Sequence, residues 1–209
     1  MTRSALITLA GFAFLAFCTT VFAADTAMVT QIQGDPMIVR NSIEIAAKSG
    51  MTCETNDLFK TTDGCMMDVM LNNKVGCRVL PSSEVLLAST NDQDMHLKIN
   101  SGNIILNVEK LKTSSFRVET PSAIASVRGT QFWGRVLDPS DPHPSTTFAV
   151  REGSIEIYSK ALDRSFTVNE GQALDIPKTL SAETSITVRS ALADELKAME
   201  QASSVKTSA

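Results

Sequence analysis

The chain has few of the side chains, and none of the short motifs, on which common enzyme classes depend. Histidine occurs only twice in 209 residues, as His96 and His143, and His143 has no nucleophile pattern beside it. The patterns GxSxG, HExxH, GxGxxG and the phosphate-binding loop GxxxxGK[ST] are all missing from the sequence. The aspartates of the central region are not spaced as a calcium-binding loop requires. We therefore expect a protein that is not an enzyme and that uses no metal or other cofactor.

Clustered positive charge is missing as well. The chain has 19 Lys and Arg against 23 Asp and Glu, a formal net charge of −4. No stretch interleaves basic and aromatic residues, which is the usual pattern of a nucleic-acid-binding surface. We expect no nucleic-acid partner.

The one long run without charge lies at the N-terminus. A single Arg in the first three residues is followed by an uncharged stretch over 5–22, and Val21 and Ala23 supply small residues at positions −3 and −1 of a secretory cleavage site. We predict a signal peptide at 1–23 and export to the bacterial periplasm or beyond the cell.

Two alternatives apply to this leader. It could stay uncleaved as a short membrane anchor, since about 20 apolar residues span a bilayer, and the membrane would then be a partner. A lipid at Cys18 is disfavoured, because Phe17 is bulky where a lipoprotein peptidase needs a small residue.

Cysteine is scarce after the leader, where only Cys53, Cys65 and Cys77 occur. An oxidising compartment makes them candidates for a disulfide, and one bridge among three would leave a thiol free or available to a partner chain. The two spacings of 12 residues exclude a CxxC redox or zinc motif. The alternative is that they are buried small hydrophobic residues with at most one bridge. The spacing leaves the pairing open.

Helical periodicity is missing from most of the chain. Between Ala27 and Ile176 the apolar residues alternate or come in short runs cut by Gly, Pro, Asn, Asp and Ser, which is typical of many short strands. Asn72 and Asn73 stand where a hairpin turn is expected. The segment DPSDPHP at 138–144 holds three prolines, so we expect an exposed loop there.

One short pattern recurs, in which polar residues and a glycine precede an apolar alternation. The copies are KINSGNIIL at 98–106, AVREGSIEI at 149–157, TVNEGQALDI at 167–176 and, more faintly, TQIQGDPMIV at 30–39. We expect the glycines of the three clear copies, Gly102, Gly153 and Gly171, at positive φ in tight turns between paired strands. The recurrence predicts an all-β fold of many short antiparallel strands, either a twisted solenoid-like coil or a rolled sandwich.

The composition changes after Pro177. The segment SALADELKAMEQ at 190–201 begins with Ser190, a favourable N-cap, and places Leu192, Leu196 and Met199 on one face. We predict one short amphipathic C-terminal helix. The chain is therefore divided into a signal peptide at 1–23, a β-domain at 24–178 and a tail with the helix at 179–209.

The stretch TPSAIASVRGTQF at 120–132 interrupts its own alternation. Ala123, Ala125 and Val127 share one face before Gly129, and Phe132, Gly134 and Val136 share one face after it. The first set is odd-numbered and the second even-numbered, although side chains alternate strictly along a strand. An extra residue would restore one apolar face, so we predict a β-bulge at Gly129 that keeps the core side filled.

The same alternation places Gln131, Trp133 and Arg135 together on the outer face. Tryptophan beside arginine is favoured at the centre of protein interfaces, so we predict that these residues and Arg128 bind a partner. Two alternatives apply. The only Trp of the chain could lie in the core or be half-covered by a tail, and Arg128 could bond local carbonyl oxygens.

The central stretch FRVETPSAIASVRGTQFWGRV, followed by FAVREGSIEIYS and FTVNEGQALDIP, resembles the FecR domain, whose most recognisable block is F-x-V-x-T-P-x-A-x-x-x-V-R-G-T-x-F. The matching residues are Phe116, Val118, Thr120, Pro121, Ala123, Val127, Arg128, Gly129, Thr130 and Phe132. The upstream stretch NDLFKTTDGCMMDVMLNNKVGCRVLPSSEVLL is similar to the hairpin that precedes Pro-x-Ser in that family. The resemblance covers roughly Ala27 to Pro177.

This resemblance implies an all-β periplasmic domain. In the membrane-anchored regulators that name the family, such a domain receives a signal from an outer-membrane transporter and passes it to a cytoplasmic sigma factor. Here only Met-Thr-Arg precedes the uncharged run, so we expect no cytoplasmic helix bundle and do not carry the transmembrane relay over. We predict a non-catalytic periplasmic or secreted module that recognises a protein or cell-envelope component, with a role in signalling. The alternative is a structural or assembly subunit of a cell-envelope complex.

Overall fold

The computed structural model describes residues 26–137, 145–177 and 186–201. The predicted signal peptide, the lipid attachment considered at Cys18 and the proline-rich loop at 138–144 lie outside these ranges. No helix within them is long and apolar enough to cross a membrane.

The described residues form 17 strands and one helix. In chain order these are β1 (Ala27–Gln33), β2 (Met37–Arg40), β3 (Ile43–Ala46), β4 (Thr52–Cys53), β5 (Leu58–Thr61), β6 (Met66–Leu71), β7 (Val75–Val79), β8 (Ser83–Ser89), β9 (Asp94–Val108), β10 (Ser115–Glu119), β11 (Ala123–Val127), β12 (Gln131–Val136), β13 (Thr146–Glu152), β14 (Ser154–Ser159), β15 (Arg164–Asn169), β16 (Gln172–Ile176), β17 (Val188–Ser190) and α1 (Ala193–Gln201). The predicted all-β fold with one short C-terminal helix is confirmed.

The strands form two layers that share the long strand β9. The first sheet has the order β4-β1-β6-β7-β9-β12-β13-β16-β17. The second has the order β3-β2-β5-β8-β9-β10-β11-β14-β15. Every pairing is antiparallel except β9 with β10, which is parallel. Inward side chains of both sheets meet in one core, so the arrangement is a rolled sandwich.

Alternating burial shows how the sequence produces these layers. In β14, Ile155 and Ile157 are buried, whereas Glu156 and Tyr158 between and beyond them are exposed. Strand pairing satisfies the backbone, and the inward half of each strand supplies apolar surface to the core. The β6–β7 hairpin is confirmed, because Asn72 and Asn73 have φ angles of 48° and 53°, as its turn requires.

Glycines mark the corners at which the chain passes from one sheet to the other. The positive-φ glycines at these corners include Gly34, Gly102, Gly129, Gly153 and Gly171. The predicted positive φ is therefore present, but the predicted position between paired strands is wrong: β13 and β14, for example, flank Gly153 in different sheets. At a corner the backbone turns sharply towards the opposite layer, and glycine makes this turn without steric cost.

The prediction of a β-bulge at Gly129 is also wrong. Strand β11 ends in the second sheet and β12 begins in the first, with Gly129 at the corner between them. The core side nevertheless stays filled, since Val127 before the corner and Phe132 after it are both buried. The apolar parity changes because the chain changes sheets, not because one strand gains a residue.

The C-terminal segment adds to the first sheet and then covers it. Ser190 lies in the edge strand β17 and is not the N-cap that the sequence predicts. The carboxylate of Glu195 instead accepts a hydrogen bond of 2.7 Å from the backbone N–H of Leu192, as in a capping box. Met199 is fully buried, whereas the Leu192 side chain is 60% exposed and leaves the predicted apolar face incomplete.

Candidate functional site

The outer face of the first sheet carries a row of aligned residues with Trp133 near its centre. Neighbouring strands place Asp68, Arg78, Ile105, Trp133, Ala149, Ala173 and Arg189 in direct register. Charged residues stand at both ends of this row and apolar ones in the middle. The row exists only in the folded chain, because its members come from seven strands.

Helix α1 lies over the middle of this row. We call Ile105, Trp133, Ala149 and Ala173 the Trp133 patch; all four are buried and pack with Met199 of the helix. The small side chains of the two alanines leave room beside the indole for the Met199 side chain. The patch is a second apolar cluster, separated from the main core by the sheet itself.

Trp133 therefore faces outward as predicted but is only 7% exposed. The sequence suggested an exposed tryptophan and offered cover by a tail as the alternative, and the covered arrangement is the one present. The physical reason is that the fold is stabilised when a neighbouring apolar helix excludes water from a large aromatic surface. Partner binding by this residue stays a prediction.

Arg189 connects the helix to the sheet. It donates hydrogen bonds of 2.9 and 2.7 Å to the Glu195 carboxylate and of 2.6 and 3.2 Å to that of Asp175. Burial alone would raise the pKa values of the two carboxyl groups, but their hydrogen bonds with Arg189 hold both pKa values below the ordinary range. The two acids are thus held ionised where the helix meets the sheet.

Gln131 and Arg151 hold the far end of the helix. The Gln131 Nε2 donates to the backbone carbonyl of Met199 at 3.4 Å, and Arg151 donates to Gln131 Oε1 at 3.5 Å. Arg151 also lies 3.9 Å from the Glu200 carboxylate. Gln131, one of the predicted partner-binding residues, already bonds a segment of its own chain.

Arg135 stacks on the indole but is not fully hydrogen-bonded. Its guanidinium carbon lies 5.0 Å from the centre of the Trp133 ring, a favourable cation–π distance. Its Nε is buried and has no hydrogen-bond partner among the described residues. The Trp133 patch therefore has an unused donor at its border.

Arg128 lies on a different surface from the other three predicted residues. It follows β11 and points to the outer face of the second sheet, where it is exposed. It makes no hydrogen bond or ion pair with any described residue, so the alternative in which it bonds local carbonyls is not observed. The four predicted residues belong to two surfaces because the corner at Gly129 separates them.

Arg128 lines an open depression of about 530 Å³, which we call the Arg128 groove. Its polar lining is Ser115, Arg117, Ser126, Arg128, Ser154, Glu156 and Thr167. Arg117 bonds Asp94 at 2.7 and 3.2 Å, and hydrogen bonds from Ser115 and then Arg117 lower the pKa of Asp94. The groove reaches β15, which pairs with β14 alone among the described strands.

Sequence reasoning missed a buried ion pair beside the Trp133 patch. The Arg78 side chain donates two hydrogen bonds of 2.7 Å to the carboxylate of Asp68, and both residues are more than nine-tenths buried. This bond to Asp68 raises the pKa of Arg78. The sequence signal was a charged residue at the centre of each strand of the hairpin, Asp68 and Arg78, at positions the turn places opposite each other.

The three cysteines are buried free thiols in the structure, so the disulfide considered from the sequence is not formed. Burial raises the pKa of Cys53 to about 12 and raises that of Cys77 further. A hydrogen bond with Thr62 lowers the pKa of Cys65. Within the described ranges, no group of three or more His, Cys, Asp or Glu side chains could hold a metal ion.

Comparison with known proteins agrees with the fold and the central motif. Residues 57–156 match the family model described as FecR protein. No curated protein matches the chain.

Two crystal structures of a candidate anti-sigma factor from Parabacteroides distasonis ATCC 8503 share the fold. Each has a TM-score of 0.56 and 15% identity, over 69% of this chain and 64% of that one. At that identity the likeness concerns the fold alone, and this chain covers less than two thirds of that protein. The match to the family model described as FecR protein covers residues 57–156, which run from the residue before β5 into β14.

Proposed function

We propose that this chain is a non-catalytic binding module, exported to the periplasm or beyond the cell, that recognises a protein or cell-envelope component in a signalling process. The observation that carries the proposal is the Arg128 groove, because it is open and its Arg128 guanidinium has no hydrogen bond or ion pair with any residue that the structure describes. An arginine side chain presents several donors in a fixed plane, which suits a carboxylate or another anionic group. Arg128 also belongs to the motif that resembles the FecR family.

The shape of the groove fits a surface ligand better than a small substrate. Small-molecule sites are mostly enclosed and apolar, whereas this groove is open and lined by hydroxyl, guanidinium and carboxylate groups. Its border strand β15 has one unpaired edge among the described strands, to which an extended segment of a partner could add. A protein partner could therefore use the groove and the edge together.

The FecR match and the fold shared with a candidate anti-sigma factor support the signalling part of the proposal. The description of the Parabacteroides protein applies to that protein.

The test is photo-crosslinking in the native host from position 126, at the floor of the groove. Ser126 is exposed, so a probe there should capture one recurrent partner. A probe at the exposed Lys48, outside the groove, is the matched control and should not. We expect Arg128→Ala to reduce capture from position 126 by about tenfold, the cost of one charge-assisted hydrogen bond, while Lys48→Ala has no effect.

Each outcome separates the candidate functions. Capture of the same molecule from both positions, or of nothing from either, would refute a recognition site in the groove. Capture of a second copy of this chain would favour the structural or assembly alternative.

A further inference from the structure

The α1 segment is too short to form a stable helix without contacts to the rest of the protein. It has nine residues, and isolated helices shorter than about 12 residues are marginal in water. Its Leu196 and Met199 face the Trp133 patch, and Met199 loses all exposure there. The outer face of the first sheet therefore acts on α1 as a helix-binding surface.

The surface recognises two properties of the helix. Apolar side chains three residues apart enter the depression beside the indole, and carboxylates next to them meet cations of the sheet. Glu195 bonds Arg189, and Glu200 lies near Arg151. An amphipathic helix laid into a complementary groove is a common mode of protein recognition.

With α1 in place, one hydrogen-bond donor at the border of the Trp133 patch still has no partner among the described residues. Arg135 Nε is buried beside Trp133 and has no hydrogen-bond partner in the described part of the chain, and a buried donor left unpaired costs free energy. A helix with one more carboxylate, placed to reach this donor, would satisfy the border of the patch better than α1 does. The charge of Arg135, Arg151 and Arg189 favours an acidic helix in particular.

We infer that the Trp133 patch is a docking surface for an acidic amphipathic helix of a partner protein, and that α1 occupies this surface within the same chain until the partner helix displaces it. The inference goes beyond the proposed function and is independent of it. The patch lies on the first sheet and the Arg128 groove on the second, so either site can fail its test without the other.

The only tryptophan of the chain reports directly on this surface. Glu195→Lys places a cation against Arg189 and should release α1 from the sheet. The Trp133 emission should then shift to the red, and the indole should become more accessible to a soluble quencher. Asp194→Lys is the matched control, because Asp194 lies in the same helical turn but is exposed and makes no hydrogen bond or ion pair with the described strands. Its emission should equal that of the unaltered chain, although both variants change the charge near the helix N-terminus equally.

The second step adds the helix back as a separate molecule. A labelled peptide of residues 190–201, SALADELKAMEQ, carries Glu195 and can bond Arg189 of the Glu195→Lys chain, which has lost its own Glu195 carboxylate. We expect this peptide to bind that full-length variant at least about tenfold more tightly than the unaltered chain or Asp194→Lys, and to reverse the red shift. Far-UV circular dichroism checks that the sheets of each variant are folded.

The third step tests the unused donor. The same peptide with Ala193, Lys197 or Ala198 changed singly to Glu should include one version that binds Glu195→Lys more tightly than the parent peptide. That gain should disappear when the protein also carries Arg135→Met, which keeps most of the side-chain volume but removes the donor.

Several results would overturn the inference. Trp133 emission unchanged in a folded Glu195→Lys chain would mean that α1 is not displaceable, and a red shift without peptide binding would mean that the patch does not accept helices in trans. If none of the peptides with an added Glu binds more tightly than the parent peptide, Arg135 does not contribute to the choice of helix. An exchange of α1 between copies, seen as a dimer that Glu195→Lys abolishes, would make the occupant a second copy and not a partner protein.

Discussion

At the scale of single residues, Arg78 and Asp68 form a buried ion pair between two neighbouring strands. Both side chains are more than nine-tenths buried and joined by two hydrogen bonds. Removing one member of such a pair leaves an uncompensated buried charge. The pair therefore gives a direct test of the packing around the Trp133 patch.

We expect Arg78→Met to lower the free energy of unfolding by about 3–5 kcal/mol, because Asp68 then lies buried without its partner. The double variant Arg78→Met with Asp68→Leu removes both charges and should recover most of the loss. Denaturant unfolding of the two variants and the unaltered chain measures this difference. Exposed ion pairs typically contribute up to about 1 kcal/mol. If the free energy of unfolding of Arg78→Met lies within that range of the unaltered chain, water reaches the site.

His96 predicts how stability depends on pH. Burial, and then repulsion by Arg117, lowers the pKa of His96 below its ordinary value of 6.5, although Glu119 lies 3.4 Å away and Asp94 also favours the charged form. The unfolded chain therefore binds this proton more readily. The free energy of unfolding should fall as the pH drops below 6.5 and should level off below the folded-state pKa.

We expect His96→Gln to reduce the loss of stability between about pH 7 and about pH 5, the range in which histidine titrates. Carboxyl groups with lowered pKa values, such as Asp94 and Glu119, lose their contribution at lower pH, so the two effects separate. Thermal unfolding midpoints at a series of pH values provide the measurement. His143 is common to both chains and cancels in the comparison. Identical pH profiles for the two chains would show that His96 titrates alike in folded and unfolded states.

At the scale of elements, the corners between the sheets determine which strand faces which layer. Gly102 bends β9 out of the second sheet and into the first at a φ of 84°. A side chain there would meet the backbone of Ser83, with Cβ only 2.5 Å from its Cα. Gly171 has a similar φ of 73°, but a Cβ there would meet nothing within 4 Å.

These two glycines form a matched pair of tests. Gly171→Ala should cost about 1–2 kcal/mol, the penalty of a left-handed alanine. Gly102→Ala should cost about 3 kcal/mol or more, because the same penalty combines with a backbone clash. Chemical denaturation compares the two variants under one condition. Equal losses would mean that Ser83 moves aside without cost and that close approach does not determine this corner.

At the scale of the whole molecule, β9 ties the two sheets into one folding unit. Its first half pairs with β8 and β10, and its second half with β7 and β12. Neither sheet is continuous without β9, and one core lies between them. Loss of either sheet therefore exposes the apolar face of the other.

We expect the two sheets to unfold together, in a single transition. The chain supplies a probe for each, since its one Trp lies in the first sheet and its one Tyr, Tyr158, in the second. Denaturation curves from Trp133 fluorescence and Tyr158 absorbance should have the same midpoint. Two separated midpoints would show that the sheets are independent units and that β9 can lose half of its pairings at little cost.

The strands, the Asn72–Asn73 turn and the buried alternation could be predicted because they depend on neighbouring residues. Helix α1 could also be predicted from its apolar spacing, although its N-cap could not, because Ser190 joins β17 through a pairing with Gln172. The change of sheet at Gly129 could not be predicted, because a bulge and a change of sheet both shift the apolar positions from odd to even numbers. Only the position of the next strand distinguishes them.

The sequence by itself determined the class of fold, the positive φ of the corner glycines and the FecR block, because each follows from local sterics, side-chain alternation or a contiguous motif. Tertiary structure alone decided which outward residues share a surface. It brought α1 onto Trp133, left Arg128 open on the opposite sheet and placed Arg78 against Asp68. These contacts depend on strand order and on burial between distant segments, which no local pattern along the chain specifies.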